Sequence, residues 1–361
     1  MDFSTIIRKQ DWILNAAIGF LAAAGLVSLL SSSPKQFFYQ QLVWYLLGGA
    51  MALALARIDW RPLISRPKFI HGIYLFSILL LAATYFLAPP IRGIRSWLVA
   101  GQFQFQTSEF AKLALILVLS IFWSKAHVGI ARFRNLAVSF GYFLLPAVLI
   151  AIQPDLGTAL IFFGIWFGYL LISGIRWKHL LAALIIFAIA GFFFWTTILQ
   201  DYQKDRISGI FNPESDPLYR NYNVIQSKIA IGSAGFWGKG FGQGTQTQLG
   251  FLPETRSDFI FAAFTEEWGF LGGFLVLFAF LTLIIRIILI GLKSENNFSR
   301  LFCLGTAILF LSHLVLNVGF NLGILPVVGV PFPFLSYGGS NLLTNLFLIG
   351  IIQGIVLRSK F

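Results

Sequence analysis

Long apolar blocks separated by short polar and basic segments run through the whole chain. Blocks near 12–31, 38–56, 69–88, 107–124, 135–152, 156–174, 179–200, 258–290, 301–320 and 339–357 each approach or exceed the roughly 20 apolar residues that a helix needs to cross a bilayer core. The pattern predicts an all-α integral membrane protein: ten transmembrane helices forming one polytopic domain over 1–361. Only Gln153-Pro154-Asp155 separates the fifth block from the sixth, and the proline enforces a tight turn there. The eighth block would extend about 50 Å as one helix, so it is expected to tilt strongly or to project beyond the lipid. Two connections stand out. The stretch 201–257 is a long polar outer loop, rich in glycine over its second half. The stretch 321–338 carries Pro326, Pro331 and Pro333 but is too apolar for a solvated loop, so it is expected to re-enter the protein.

Composition narrows the class. Of 361 residues, 57% are hydrophobic and only 11% charged, less than half the roughly 25% of a soluble domain. A water-soluble enzyme is excluded. The net charge of +12 does not indicate nucleic acid, because no dense basic run exists. Instead Arg57, Arg61, Arg66, Lys125, Arg132, Arg134, Arg176, Lys178, Lys293, Arg300 and Arg358 gather in alternate connections. The positive-inside rule therefore puts both termini in the cytoplasm and 201–257 outside. The first block leads into another span and not a cleavage site, so no cleaved leader is expected. The lone Cys303 cannot form an intramolecular disulfide, and His71, His127, His179 and His313 lack ligand-like spacing.

Ionisable residues inside or beside spans are the candidates for chemistry. Glu109 and Lys112 lie three apart on the fourth span and share a face. They are either a structural ion pair or a site at which Lys112 holds an anion. Glu266 and Glu267 interrupt the eighth span, and one of them is expected to hydrogen-bond backbone in a broken helix. Asp258 opens that span, placed for helix capping or for general-base work at the membrane surface; Asp155 has the same two readings. The string Gly238-Lys239-Gly240-Phe241-Gly242-Gln243-Gly244 lacks phosphate-loop spacing. Its glycines suit tight turns or a close approach of backbone.

Several strings, in order, resemble the SEDS family of shape, elongation, division and sporulation proteins. They are Ser108-Glu109-Phe110-Ala111-Lys112, Gln153 through Thr158, Gln226 through Ser233, Gly238 through Gln246, Leu252 through Ala262 and Pro333 through Ser340. Residues 244–255 are most similar to the elongation branch. The resemblance implies a SEDS-type fold with ten spans and a large extracytoplasmic loop, in the bacterial cytoplasmic (inner) membrane. It implies a peptidoglycan glycosyltransferase that polymerises lipid II, the undecaprenyl-pyrophosphate-linked precursor, with a class B penicillin-binding protein transpeptidase and the elongation machinery as partners. Asp258 then matches the essential aspartate, Glu109 and Lys112 the buried pair, and Asp155 a further functional aspartate. Gln226 and Gln246 join the substrate-binding candidates. Ser96 stands where a basic residue often precedes the tryptophan, with Arg95 one place earlier as its substitute.

Joining a β-linked glycan from an α-linked pyrophosphate donor inverts the anomeric carbon. One displacement suffices, with one base for the acceptor hydroxyl and cations for the leaving pyrophosphate. Asp258 is the expected base, and Lys112, Arg95, Arg206, Lys239 and Arg256 are candidate counter-charges. A divalent cation, Mg or Mn, is a further candidate helper, with Asp258, Asp155 or Glu254 as oxygen donors. The alternatives are a flippase for lipid-linked precursor and a scaffold. The absence of repeat symmetry and the crowding of charge at the outer edge disfavour transport.

Overall fold

A computed structural model describes residues 8–60, 66–89, 94–101, 103–126, 133–172 and 221–358, with isolated positions between. The chain runs α1 (Trp12–Ser32), α2 (Lys35–Arg57), α3 (Pro67–Leu87), β1 (Trp97–Ala100), β2 (Phe103–Gln106), α4 (Thr107–Ala126), α5 (Phe133–Ile152) and α6 (Leu156–Ile172). After a gap come α7 (Tyr222–Ser233), α8 (Thr245–Gln248), α9 (Ile260–Lys293), α10 (Asn297–Asn321) and α11 (Gly339–Arg358). Eight of these helices are long and apolar enough to cross a membrane, and α6 is a shorter apolar helix. They coincide with the predicted blocks except 179–200, most of which lies outside the described residues, as does Arg206. Helix starts obey local chemistry. Asp11 caps α1 by accepting from Leu14 N–H at 2.9 Å, and Asn296 caps α10 by accepting from Phe298 N–H at 2.9 Å, each satisfying an amide that the helix leaves orphaned.

Two helices, α4 and α11, are buried along most of their length. Burial reaches 83% along α4 and 89% along α11, against 17% along α2. The centre is therefore where buried polar residues can be held away from lipid. Helix α11 packs on α2, α9 packs on α1 and α10, and α3 packs on α4. An ion pair, Arg286 to Asp11 at 2.7 Å, ties α9 to the start of α1.

Two features depart from the all-helical expectation. The connection between α3 and α4 forms a two-stranded antiparallel hairpin with Trp97 opposite Gln106, turning at Gly101, whose φ is 63°. The alternation Phe103-Gln104-Phe105-Gln106 is the period-2 signal of a strand. Helix α9 is also not one rod: Gly269 has φ 71° and ψ −173°, a conformation open essentially to glycine alone. A break inside lipid would strand backbone groups, and the glycine-rich segment 235–240 supplies their partners. Lys239 and Gly240 N–H donate to the Glu266 and Glu267 carbonyls at 3.0 Å each, while Phe270 and Leu271 N–H donate to the Gly235 and Phe236 carbonyls at 2.9 and 3.2 Å. Contact is so close that a Cβ at Gly238 would collide with the Glu267 carbonyl, and one at Gly269 with the Phe236 carbonyl. The glycines thus permit close approach of the protein's own backbone.

Candidate active site

The first part of the site is the buried pair on α4. Lys112 donates to Glu109 Oε1 at 2.8 Å, with the two side chains 1% and 3% exposed. The other Glu109 oxygen accepts from Asn341 Nδ2 on α11 at 3.2 Å. Lys112 Nζ also meets His313 Nε2 on α10 at 3.2 Å. Lys112 is thereby enclosed by protein partners, and its charge is already balanced. That arrangement suits a structural ion pair joining α4, α10 and α11 better than capture of a substrate anion.

Asp155 forms the second part, in the turn between α5 and α6. Its carboxylate caps α6, accepting from Thr158 N–H at 3.1 Å and Thr158 Oγ1 at 2.8 Å. Ser96 Oγ and Gln106 Nε2 approach the same carboxylate at 3.4 and 3.5 Å, so the hairpin closes over it. Burial pushes this carboxyl above the ordinary carboxylate range; the Thr158 hydrogen bonds and the Lys112 charge hold the rise back. Ser96, the departure from the family pattern, thus faces Asp155 directly, whereas Arg95 is exposed beside it.

The third part is the run Arg256-Ser257-Asp258. It sits in a turn just ahead of α9 and not in that helix's first turn, since the cap position is Phe259. All three carbonyls are held. Tyr337 N–H donates to the Arg256 carbonyl at 2.8 Å, and Ser336 Oγ to the Ser257 carbonyl at 2.6 Å. Asn317 and Asn321 both donate to the Asp258 carbonyl at 3.0 Å. Residues Ser336 and Tyr337 of the segment after α10, and Asn317 and Asn321 of α10 itself, do this work, and Phe332 and Leu335 of that segment are fully buried. With the backbone pinned, the side chains are aimed. Asp258 Oδ2 stands 3.5 Å from where a Cβ on Gly329 would lie, a position where φ is 66°. The Arg256 guanidinium lies 4.2 Å over the Phe37 ring, a cation–π contact that holds it at the N-terminal end of α2. The Tyr337 ring packs edge-on against Phe37, and burial raises its hydroxyl above the usual phenol range although Arg256 lowers it.

The remaining candidates are placed otherwise. Lys239 pairs with the buried Glu266 at 2.7 Å, and Glu266 also accepts from Gln246 and Thr247 N–H at 2.9 and 3.1 Å. The expected carboxylate-to-backbone contact in a broken helix is Glu266. Its neighbour Glu267 accepts from Ser31 Oγ and from Gln248 Nε2. Lys239 therefore braces the outer loop and is already engaged. The Gln246 side-chain oxygen is buried and accepts no hydrogen bond among the described residues. Gln226 is half-buried on α7, next to Ser227, whose hydroxyl donates to the Asn321 carbonyl at 2.8 Å. As for a metal, no three His, Cys, Asp or Glu residues group to hold an ion among the described residues. Asp155 is committed to Thr158, Ser96 and Gln106, and Glu254 accepts from Ser257 Oγ at 3.2 Å. Of the three expected oxygen donors, Asp155 and Glu254 are thus engaged by protein groups.

His313, Asn317 and Asn321 were not singled out by sequence reasoning as site residues. Their spacing of four puts them on one face of α10, a polar stripe in a membrane helix. That stripe is the signal which could have found them.

A multi-pass helical membrane protein with a buried Glu109–Lys112 pair and an acidic residue just ahead of its longest helix is the class these features define. The profile of the FtsW/RodA/SpoVE cell-cycle proteins matches residues 9–360. The chain belongs to this family, the SEDS proteins. It is 38% identical to the peptidoglycan glycosyltransferase MrdB of Escherichia coli K12 over 288 residues, covering 80% of this chain and 78% of that one. It is 29% identical to the peptidoglycan glycosyltransferase RodA of Treponema pallidum, covering 98% of each. Among solved structures, it resembles a chain of a peptidoglycan synthase complex that coordinates polymerization and crosslinking: TM-score 0.82, 33% identity, 96% and 97% coverage. It also resembles Thermus thermophilus RodA, with TM-score 0.72, 29% identity and 98% coverage of each.

Proposed function

We propose that this chain is a peptidoglycan glycosyltransferase that polymerises lipid II into glycan strands for wall elongation and cell shape. Similarity to relatives named for that activity supports the reaction, and one observation carries the assignment of roles. Asp258 and Arg256 are held by their own carbonyls at the outer mouth of α9, where a lipid-linked headgroup arrives. Asp258 removes the proton from the acceptor hydroxyl as it attacks the anomeric carbon. Arg256 receives the pyrophosphate oxygens, and undecaprenyl pyrophosphate departs with inversion. Asp155 and the Glu109–Lys112 pair support the cavity beneath. A flippase needs an open polar path across the midplane, and here Glu109 and Lys112 are sealed.

The protein works in the bacterial cytoplasmic membrane with both termini in the cytoplasm. A class B penicillin-binding protein crosslinks its product within the elongation machinery; likeness to a synthase-complex chain supports this pairing.

The test is lipid II polymerisation by equal amounts of folded wild type and Asp258→Asn. Asparagine keeps shape and hydrogen bonding but takes no proton, so the rate is expected to fall by roughly 10²–10⁴-fold. A capping role predicts the opposite, because Asn caps about as well as Asp. An asparagine variant within about threefold of wild type, far short of the general-base range, would falsify the assignment.

A further inference from the structure

The family strings and the proposed mechanism leave one buried polar side chain without a task. His313 is fully buried in α10, in a helix that crosses the membrane. Burying an imidazole there carries a cost unless both ring nitrogens are satisfied, and both are. Nδ1 lies 3.0 Å from the Pro331 carbonyl, which can only accept, so Nδ1 carries the hydrogen. Nε2 is then the acceptor, and it faces Lys112 Nζ at 3.2 Å, a group that can only donate. Two fixed partners leave the ring one tautomer and one orientation.

The same stripe continues upward. Asn317 Nδ2 donates to the Val330 carbonyl at 2.7 Å and to the Asp258 carbonyl at 3.0 Å. Asn321 Nδ2 donates to the Asp258 carbonyl at 3.0 Å and to the Asn317 carbonyl at 2.9 Å. Asn317 thus ties the Val330 carbonyl, next in the chain to Pro331, to the Asp258 carbonyl. A path of hydrogen bonds and backbone therefore runs from Glu109 through Lys112, His313, Pro331, Val330 and Asn317 to the Asp258 carbonyl.

We propose that His313 is a positioning residue for the glycosyl transfer, coupling the Glu109–Lys112 pair to the re-entrant segment that aims Asp258. The inference rests on the reading of Asp258 as the base. It assigns the buried pair a purpose that neither pocket lining nor helix orientation gives it: Lys112 fixes His313, and His313 fixes the wall behind the carboxylate. Distance along the path makes the effect one of orientation, so His313 touches no substrate.

Two amide substitutions separate its two bonds. In His313→Asn the amide sits where Nδ1 was and reaches Pro331, but ends short of Lys112. In His313→Gln the amide oxygen extends to the place of Nε2 and accepts from Lys112. Lipid II polymerisation by purified, folded protein is measured across lipid II concentration, alongside thermal unfolding in detergent. The maximal rate of His313→Asn is expected to fall about tenfold or more, the scale of one hydrogen bond to a charged group. Its half-saturating lipid II concentration should stay within about twofold, because no substrate contact is lost. His313→Gln keeps the Lys112 bond but gives up the Pro331 one, so its maximal rate should fall about as far, because the coupling needs both bonds. Combining His313→Asn with Lys112→Met should slow the enzyme no further than the slower single variant, since both cut one path. Equal rates for the Asn variant and wild type, or penalties that multiply in the double variant, overturn the coupling. So does a fall that tracks unfolding alone in both amide variants. A wild type that makes no glycan from lipid II overturns the activity instead, and leaves the distinction visible.

Discussion

Asp155 shows how one carboxylate can be both expensive to bury and useful. Its oxygens are satisfied by Thr158, Ser96 and Gln106, yet burial still lifts its pKa above the ordinary range. A raised carboxyl pKa means the folded state binds the proton more tightly than the unfolded chain does. Wild-type stability should therefore be greatest at low pH and decline as pH rises through the folded-state pKa. An asparagine side chain in its place would keep the acceptor for Thr158 without the charge. Asp155→Asn is thus expected to unfold at a higher temperature than wild type at about pH 8, with the gap closing as pH falls towards about 4, near the ordinary carboxylate value. A gap independent of pH, in detergent-solubilised protein, would show that the carboxylate is not desolvated. At this scale the sequence was partly legible. Glu109 and Lys112 announced themselves because a spacing of three fixes their relative position on any helix. His313 did not, because its partners, Lys112 and the Pro331 carbonyl, are distant in sequence and only packing joins them.

Elements are governed here by where backbone hydrogen bonds go. The long eighth block reads as one helix because its apolar run never falters, and nothing in hydropathy marks Gly269 as a break. What makes the break tolerable is the segment 235–240, far upstream in the chain, which caps the stranded groups on both sides. Pairing of that kind is invisible to a local pattern. Its cost is easy to expose: Gly269→Ala and Gly238→Ala each put a Cβ into facing backbone at left-handed φ. Each should destabilise the protein by about 1–3 kcal/mol from backbone strain, beyond any clash. Gly72→Ala is the control, since a Cβ there meets nothing within 4 Å and glycine-to-alanine favours a helix by about 1 kcal/mol. Thermal unfolding in detergent checks all three: loss at 238 and 269, none or a small gain at 72. Unchanged midpoints at 238 and 269 would mean the loop does not seal the break. The hairpin Trp97–Gln106 was legible in principle, as Gln and Phe alternate through β2, but a short pleat between two membrane spans is easily overlooked beside much longer apolar runs.

At the scale of the whole molecule, lipid and water divide the chain more cleanly than any motif does. Apolar length located the described spans to within a few residues, because the bilayer sets that length regardless of packing. Hydropathy could not say which helices are central. That depends on contacts, and α4 and α11 are central although their own composition is no more apolar than that of α1. The distribution of Lys and Arg, in turn, makes a claim about sidedness that packing does not make, since both faces of the molecule carry exposed polar residues. Two positions discriminate. Lys125, in the last turn of α4, is on the side that the basic residues assign to the cytoplasm, while Trp237 lies in the glycine-rich segment assigned to the outside and is 76% exposed. The single native cysteine, Cys303, is fully buried, so it offers no thiol to an impermeant reagent and need not be replaced. A membrane-impermeant maleimide applied to intact bacteria, with the outer membrane made permeable where one exists, should label Trp237→Cys and spare Lys125→Cys. After the inner membrane is opened, both should react. If Lys125→Cys reacts first, the positive-inside assignment is inverted. Asp258 would then face the cytoplasm, where its glycan product could not reach the wall, and the polymerase mechanism would fall with the topology.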